Sequence, residues 1–282
     1  MAPRERVRGE MGNGTNIAGG SVGVEPIYCQ SMSNKRQEPW IRSLGITVPP
    51  GYLVKAHIHE WPQLVFAVHG VISVTAGAED WVVPPMRALW IDAGVEHTLR
   101  MRGRVEMRTL YFRPDRAPTM VSPCCVIEVA PLLRELIVSI VATGVLYGSL
   151  PGARARLRLL IDLLLVIPER PLVLPMPTDP RARRVVDRVT ANIEAADTLP
   201  DLARGSGASA RTIGRTFLAQ TGMTFGRWRQ HARFHEAIRL LGEGVPVTTV
   251  ALRVGYRSPS AFIAAFRSSL GKTPAEYFHK SK

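Results

Sequence analysis

His57, His59 and His97 are the residues whose type and spacing carry the most chemistry in this chain. On a β-strand His57 and His59 leave one face while Ile58 leaves the other, and His97 would arrive from a neighbouring strand. Three neutral imidazoles can hold Zn²⁺, Ni²⁺ or Fe²⁺, with water completing the shell. Together with Gln63, the same histidines can instead line a pocket for a small organic effector, or simply satisfy one another inside a core. Spacing alone leaves all three readings open. Trp61, Trp81 and Trp90 can add an aromatic wall to such a pocket, although core packing explains any one of them better.

A second set of residues points to nucleic acid. One pattern is written twice: Leu202-Ala203, Gly207, Ser209, Ile213, Phe217, and then Val250-Ala251, Gly255, Ser258, Phe262, Phe266. A small Ala, a Gly four residues later and an i, i+4 apolar pair beyond it describe two helices crossing at a tight turn. Such a unit is a helix-turn-helix, and the natural partner of a duplicated one is double-stranded DNA. Ile213 and Phe217 take the core side of the second helix. Arg211 and Arg215 then share another face, from which an Arg can form two parallel hydrogen bonds to guanine O6 and N7. The plain alternative is two solvated arginines. In the second repeat Phe262 and Phe266 take the core, leaving Pro259, Ser260, Ile263 and Ala264 toward the groove, where base discrimination should be weak. Ser209 and Thr212 complete the expected DNA-facing set of the first repeat. Arg257, Ser258, Arg267 and Lys272 are expected at phosphates, which position a protein without reading sequence.

The two sets fit two resemblances. Residues 181–278 resemble the DNA-binding domain of the AraC/XylS family of bacterial transcription regulators. The resemblance is carried by both repeats, by Trp228-Arg229-Gln230, and by Gly255-Tyr256-Arg257-Ser258 with Phe262, Phe266-Arg267 and Gly271-Lys272-Thr273-Pro274. Upstream, Gly51, His57, His59, Gln63 and Gly70 have the spacing of the first cupin motif, and Gly94-Val95-Glu96-His97 resembles the second. Gln63 stands where metal-binding cupins usually have Glu, and Asp92 where Pro is usual. The missing carboxylate removes a charge that would help hold a divalent cation. These resemblances imply a one-component regulator in which a cupin-like sensor, binding a small molecule or a metal, acts on promoter binding. RNA polymerase is the implied partner if it activates. The rival class is a metal-dependent cupin enzyme fused to a DNA-binding domain.

The elements that must position these residues can be read along the chain. Residues 1–38 mix charge with Gly, Asn and Ser and are expected to be a disordered tail. Residues 39–115 are expected to form the barrel. Its strands are Ile41–Val48, Leu53–Ile58, Gln63–Val68, Ile72–Thr75, Trp81–Val83, Ala88–Ile91, Thr98–Met101 and Val105–Phe112. Within 116–167 the period turns helical: Ala130–Tyr147 carries a stripe of Leu132, Leu133, Leu136, Ile137, Ile140 and Val141. Gly152–Ile167 carries another of Leu157, Leu160, Ile161, Leu164 and Leu165. This helical hairpin either packs on the barrel or forms the homodimer interface that the family resemblance implies. Four prolines make 168–178 an extended linker, and 179–282 the DNA-binding domain. The predicted class is α+β multidomain: an N-terminal jelly roll with a helical hairpin, then an all-α double helix-turn-helix.

Composition supports that division. The net charge is +13, and the residues from Thr178 onward hold 17 of the 36 Lys+Arg but only 8 of the 23 Asp+Glu. The excess sits on the segment expected to meet a polyanion. Three cysteines make no disulfide framework; Cys124-Cys125 reads as a redox pair or, better, as small buried residues. Met1–Gly20 has no apolar signal core. The most apolar run, Leu132–Leu146, contains Arg134 and Glu135 and is too short to span a bilayer, so a cytoplasmic protein with no membrane partner is expected.

Overall fold

The computed structural model describes residues 38–165 and 174–278. The expected tail, but for its last residue, and residues 168–173 of the expected linker lie outside the described residues.

The first half is built on two long antiparallel strands, β3 (Gln63–Ala76) and β6 (His97–Phe112), paired along most of their length. Each is bent so that its two ends take different neighbours. The start of β3 pairs with β5 (Arg87–Ile91) and its end with β4 (Glu79–Val83). The start of β6 pairs with β2 (Leu53–His57) and its end with β1 (Ile41–Val48). Four of the expected strands are therefore two. Gln63–Val68 and Ile72–Thr75 are one strand, as are Thr98–Met101 and Val105–Phe112. Gly70, between the first two of these runs, lies at a bulge. Gly70 has φ +79°, and an added Cβ there would lie 2.5 Å from the Arg104 carbonyl oxygen, so only glycine lets the bent strands stay paired. A further strand, β7 (Cys124–Glu128), pairs with β5 and carries the sheet past residue 115.

Where both faces of this sheet are covered, at the start of β3, in β5 and in the strand after residue 115, the sequence reads as unbroken apolar runs, Leu64–Ala67, Ala88–Ile91 and Cys124–Ile127. Val65, Ala67, Leu89, Ile91, Met101, Met107 and Cys124 share an interior core. Leu64, Phe66, Trp90, Phe112 and Cys125 face outward, against α1 (Pro131–Thr143) and α2 (Ala153–Leu164). Helix α1 ends before the expected Tyr147, because Gly144 turns the chain (φ +75°) and β8 (Val145–Leu146) joins β1. The hairpin thus packs on the sheet through Leu133, Ile137, Ile140, Leu157, Leu160 and Leu164. Leu132, Leu159 and Leu165 remain exposed. Cys124 and Cys125 point to opposite faces, and burial pushes their thiols up to about 12 and about 11, so they are apolar filling and no redox pair.

The second half is helical: α3 (Pro180–Ala191), α4 (Leu199–Ala203), α5 (Ala210–Thr221), α6 (Phe225–Gly242), α7 (Val247–Arg253), α8 (Pro259–Leu270) and α9 (Pro274–Phe278). Asp179 caps α3 ahead of Pro180, and Thr273 with Glu276 forms the reciprocal cap of α9, both as their spacing requires. Two cores lie on either side of α6. One holds Ile213, Phe217 and Trp228, the other Phe234, Phe262 and Phe266.

The halves touch, which an extended linker does not anticipate. Leu174–Pro175 forms a strand, β9, on the edge of β4, and the Pro175 carbonyl accepts from Trp228 Nε1 at 2.8 Å. The inner part of the linker is therefore a clasp between sheet and α6. Farther on, Lys272 Nζ donates to Glu128 Oε1 at 2.9 Å and the Arg87 guanidinium lies 4.8 Å from the centre of the Tyr277 ring.

Candidate metal centre and nucleic-acid interface

The end of β2, the loop after it and the start of β6 bring His57, His59 and His97 together. Their ring centres are 4.3 to 5.9 Å apart, and one ring nitrogen from each lies within 4.8 Å of the others. His97 is 1% exposed. Ile58, the residue between the pair, is 59% exposed, so the expected alternation holds even though the strand ends at His57.

The hydrogen bonds of the other ring nitrogens fix which atoms carry lone pairs. His57 Nδ1 lies 2.8 Å from the Lys55 carbonyl and His97 Nδ1 lies 2.9 Å from the Val95 carbonyl. A carbonyl only accepts, so both rings donate from Nδ1 and keep a lone pair on Nε2. The third ring is set through Gln63. The Thr109 hydroxyl donates to the Leu64 carbonyl, so it accepts from Gln63 Nε2, at 2.9 Å. That turns the Gln63 Oε1 toward His59 Nε2, at 3.0 Å, making Nε2 the donor and leaving the lone pair on Nδ1. His59 Nδ1 and His97 Nε2 are buried and have no hydrogen-bond partner. Burial holds the His97 imidazole down at about 4, and it lowers that of His59 against the opposing hydrogen bond from Gln63. Near neutral pH those two rings are uncharged. The donor set therefore fits a divalent ion of the Zn²⁺, Ni²⁺ or Fe²⁺ kind, with each ligand oriented by a second hydrogen bond.

Gln63, expected among effector contacts, is 1% exposed and spends its amide on His59, Thr109 and Tyr111. It orients the His59 ring, and an ionised Glu there could not donate to Thr109. Asp92 accepts from Trp90 Nε1 at 2.6 Å, satisfying an otherwise buried indole. Trp90 and Trp81 are core residues, while Trp61 lies under the Arg42 guanidinium at 4.2 Å.

In the helical half the duplicated pattern has the expected geometry. Gly207 and Gly255 adopt φ +85° and +79°, and a Cβ on Gly255 would meet the Glu194 carbonyl at 2.8 Å. Ala203 and Ala251 are buried, as are Ile213, Phe217, Phe262 and Phe266. Arg211 and Arg215 are exposed side by side on α5. On α8 the exposed positions are Ser260, Ala261, Ala264, Arg267, Ser268 and Ser269, with Arg257 exposed just before it.

Three expected DNA contacts have other duties here. The Ser209 hydroxyl caps α5 by accepting from the Thr212 amide, and also meets the Thr212 hydroxyl at 3.0 Å. Ser258 caps α8 by accepting from the Ala261 amide. Lys272, placed at a phosphate by its sequence position, is paired with Glu128 of the sheet. The basic excess also overstated the DNA-facing surface. Arg184 donates to the Ser206 carbonyl, Arg188 to those of Leu202 and Arg204, and Arg229 and Arg233 to that of Ala195. Four arginines thus tie turns together through backbone oxygens, which no sequence spacing announces.

A cupin-folded sheet joined to two helix-turn-helix repeats defines a DNA-binding transcription regulator. The model of a helix-turn-helix domain matches residues 202–280, and that of a cupin domain residues 46–112. The HTH-type transcriptional regulator NimR of Escherichia coli (strain K12) is 34% identical over 221 residues, covering 78% of this chain and 81% of that protein. The transcriptional activator NphR of Rhodococcus sp is 37% identical over 99 residues, 34% of this chain and 28% of that one. A crystal structure of a DNA-binding transcriptional dual regulator from Escherichia coli K-12 covers 36% of this chain and 91% of that chain, at 27% identity and a TM-score of 0.33. The chain belongs to the AraC/XylS family of HTH-type transcriptional regulators. It is a regulator, and the reading as a metal-dependent cupin enzyme is set aside. Among the described residues no helix is long and apolar enough to cross a membrane.

Proposed function

We propose that this regulator binds a divalent transition-metal ion through His57 Nε2, His59 Nδ1 and His97 Nε2, and that occupation of this site is the signal its sensor passes to DNA. The observation that carries the reading is the pair of buried lone pairs on His59 and His97 that no protein group satisfies. Leaving a buried acceptor unmet costs about 1–3 kcal/mol, which an ion would recover. Bound metal would hold the end of β2 against the start of β6 and leave positions open for water or a small-molecule effector.

The DNA side of the proposal uses α5 and α8 in successive major grooves on one face of the duplex, about 34 Å apart. Arg211 and Arg215 read bases. Part-exposed Thr212 and exposed Arg257, Ser260 and Arg267 reach phosphates or base edges. The contacts of Lys272 and Tyr277 with the sheet are the route by which the sensor can bias the second repeat, while the clasp at β9 reaches the core of the first. Exposed Leu132, Leu159 and Leu165 on the hairpin suit a homodimer contact. Acting on promoters, the protein works in the cytoplasm, with RNA polymerase as its further partner if it activates.

Elemental analysis of purified protein, then titration with Co²⁺ followed by visible absorption, tests the metal site. One equivalent per chain with a tetrahedral or five-coordinate spectrum is expected, and its loss in His97→Ala. Absence of any bound ion, with a raised melting temperature on adding small organic hydrogen-bond donors, would replace metal by an organic effector on the same lone pairs.

A further inference from the structure

The two repeats place different chemistry at matching positions. In α5, Arg211 stands two residues before buried Ile213, and Arg215 two before buried Phe217. In α8 the same places relative to buried Phe262 and Phe266 are held by Ser260 and Ala264. Ala264 is thus opposite the core and exposed, with exposed Ala261 one turn before it on the same stripe. A surface built for phosphates alone would gain from Lys or Arg here. This helix instead carries methyl groups, and its cations Arg257 and Arg267 stand at its two ends.

The geometry points to thymine methyl groups as what the second repeat reads: we propose that Ala261 and Ala264 contact them, so that the half-site under α8 carries thymine at one or two fixed positions. The inference rests on the reading that α5 and α8 both enter major grooves. In that groove the thymine C5-methyl is the apolar group a base presents; guanine offers N7 and O6, and cytosine an amino group. Packed against an alanine methyl, those polar groups would lose water without gaining a partner. A thymine methyl loses nothing by the same contact. Ser260 does not select, because its hydroxyl can donate or accept. Short side chains also let the α8 backbone lie closer to the base edges than the arginines of α5 allow. The complete operator then has two unlike halves, guanine-marked under α5 and thymine-marked under α8.

The test uses the full chain and a binding site selected from random duplex DNA. Each thymine of that site is replaced singly by deoxyuridine, which removes the methyl and nothing else, and affinity is read by fluorescence anisotropy. One or two positions under α8 should weaken by about fourfold, the value of one buried methyl, while replacements under α5 should be silent. Ala264→Arg should turn the selected base at one of those positions into guanine, and a melting temperature equal to wild type excludes misfolding. Ala264→Ser, milder still, should reduce the deoxyuridine effect. A selected site with guanine under α5 but any base under α8, and silent deoxyuridine throughout, would overturn this inference and leave the groove reading intact. Selection that enriches no guanine half-site would overturn both.

Discussion

The two helix-turn-helix repeats share a skeleton and differ in everything that skeleton leaves free. In both, a buried alanine, a glycine of positive φ, a serine cap and an i, i+4 apolar pair recur in the same order. Packing density holds these positions to small or apolar types, since a change of one methylene is felt in a close-packed core. The outward positions have no such constraint, and there Arg211 and Arg215 face Ser260 and Ala264 as counterparts. Their surroundings differ too. The first repeat has its turn tied by Arg184 and Arg188 and shares its core with Leu174 of the clasp. The second leans on the sensor through Val82, Arg87 and Glu128. The two repeats thus present unlike outward chemistry, and each touches the sensor half at a different place.

If the skeletons are equivalent, Phe217→Ala and Phe266→Ala should each cost about 3–5 kcal/mol of stability, as for any fully buried aromatic. A melting-temperature drop in only one of them would break the equivalence. The next effect sharpens the claim that the second repeat depends on the sensor. The imidazole of His97 is held at about 4 by burial, against the usual 6.5. Unfolded chain therefore takes up a proton that folded chain refuses. Metal-free protein should be fully stable above pH 6.5 and lose up to about 3 kcal/mol as pH falls to 4. Unfolding of the sensor sheet in acid, followed by near-ultraviolet circular dichroism, should be accompanied by loss of contact to the second half-site before the first. His97→Phe should flatten that pH dependence.

Smaller effects separate reading from positioning. Arg215→Ala should cost about 1–3 kcal/mol on the cognate site and relax preference at one or two base pairs, whereas Arg267→Ala should weaken cognate and random DNA alike. Equal losses on both kinds of DNA in the Arg215 variant would remove the distinction between the repeats' roles. The smallest effect belongs to the ion pair between sheet and second repeat. Lys272 and Glu128 are partly exposed, so the pair itself is worth about 0.2–1 kcal/mol. Glu128→Gln should weaken the hold of the sheet on Lys272, tightening random-DNA binding by up to about twofold and steepening its salt dependence by at most about one counterion. An unchanged slope would mean that Lys272 never reaches DNA.

The site was more legible than the fold around it. His57, His59 and His97 could be brought together from strand period and motif spacing, because alternation is a local rule that backbone geometry enforces. Gln63 was legible as a departure but not as the group that sets the tautomer of His59. That role depends on Thr109, forty-odd residues away, donating to the carbonyl of Leu64. The long strands β3 and β6 each read in sequence as a pair of short ones, since Gly70 and Gly103 look alike whether they turn a chain back or bulge it. Strand β7 is not legible because Cys124–Ile127, buried on one face in the interior core and on the other against the helices, shows no alternation to read.

By itself the sequence determined what depends on near neighbours: the two repeats, the caps at Asp179 and Thr273, the shared facing of His57 and His59, and the helical stripes. Each follows from backbone periodicity or from a hydrogen bond spanning a few residues. Only the tertiary structure decided which lone pairs remain unsatisfied, which arginines are spent on carbonyls, and that the linker's Leu174–Pro175 is a strand on β4. It alone also joined Lys272 to Glu128. Those outcomes depend on groups brought together by packing from distant parts of the chain, and no short-range pattern carries them.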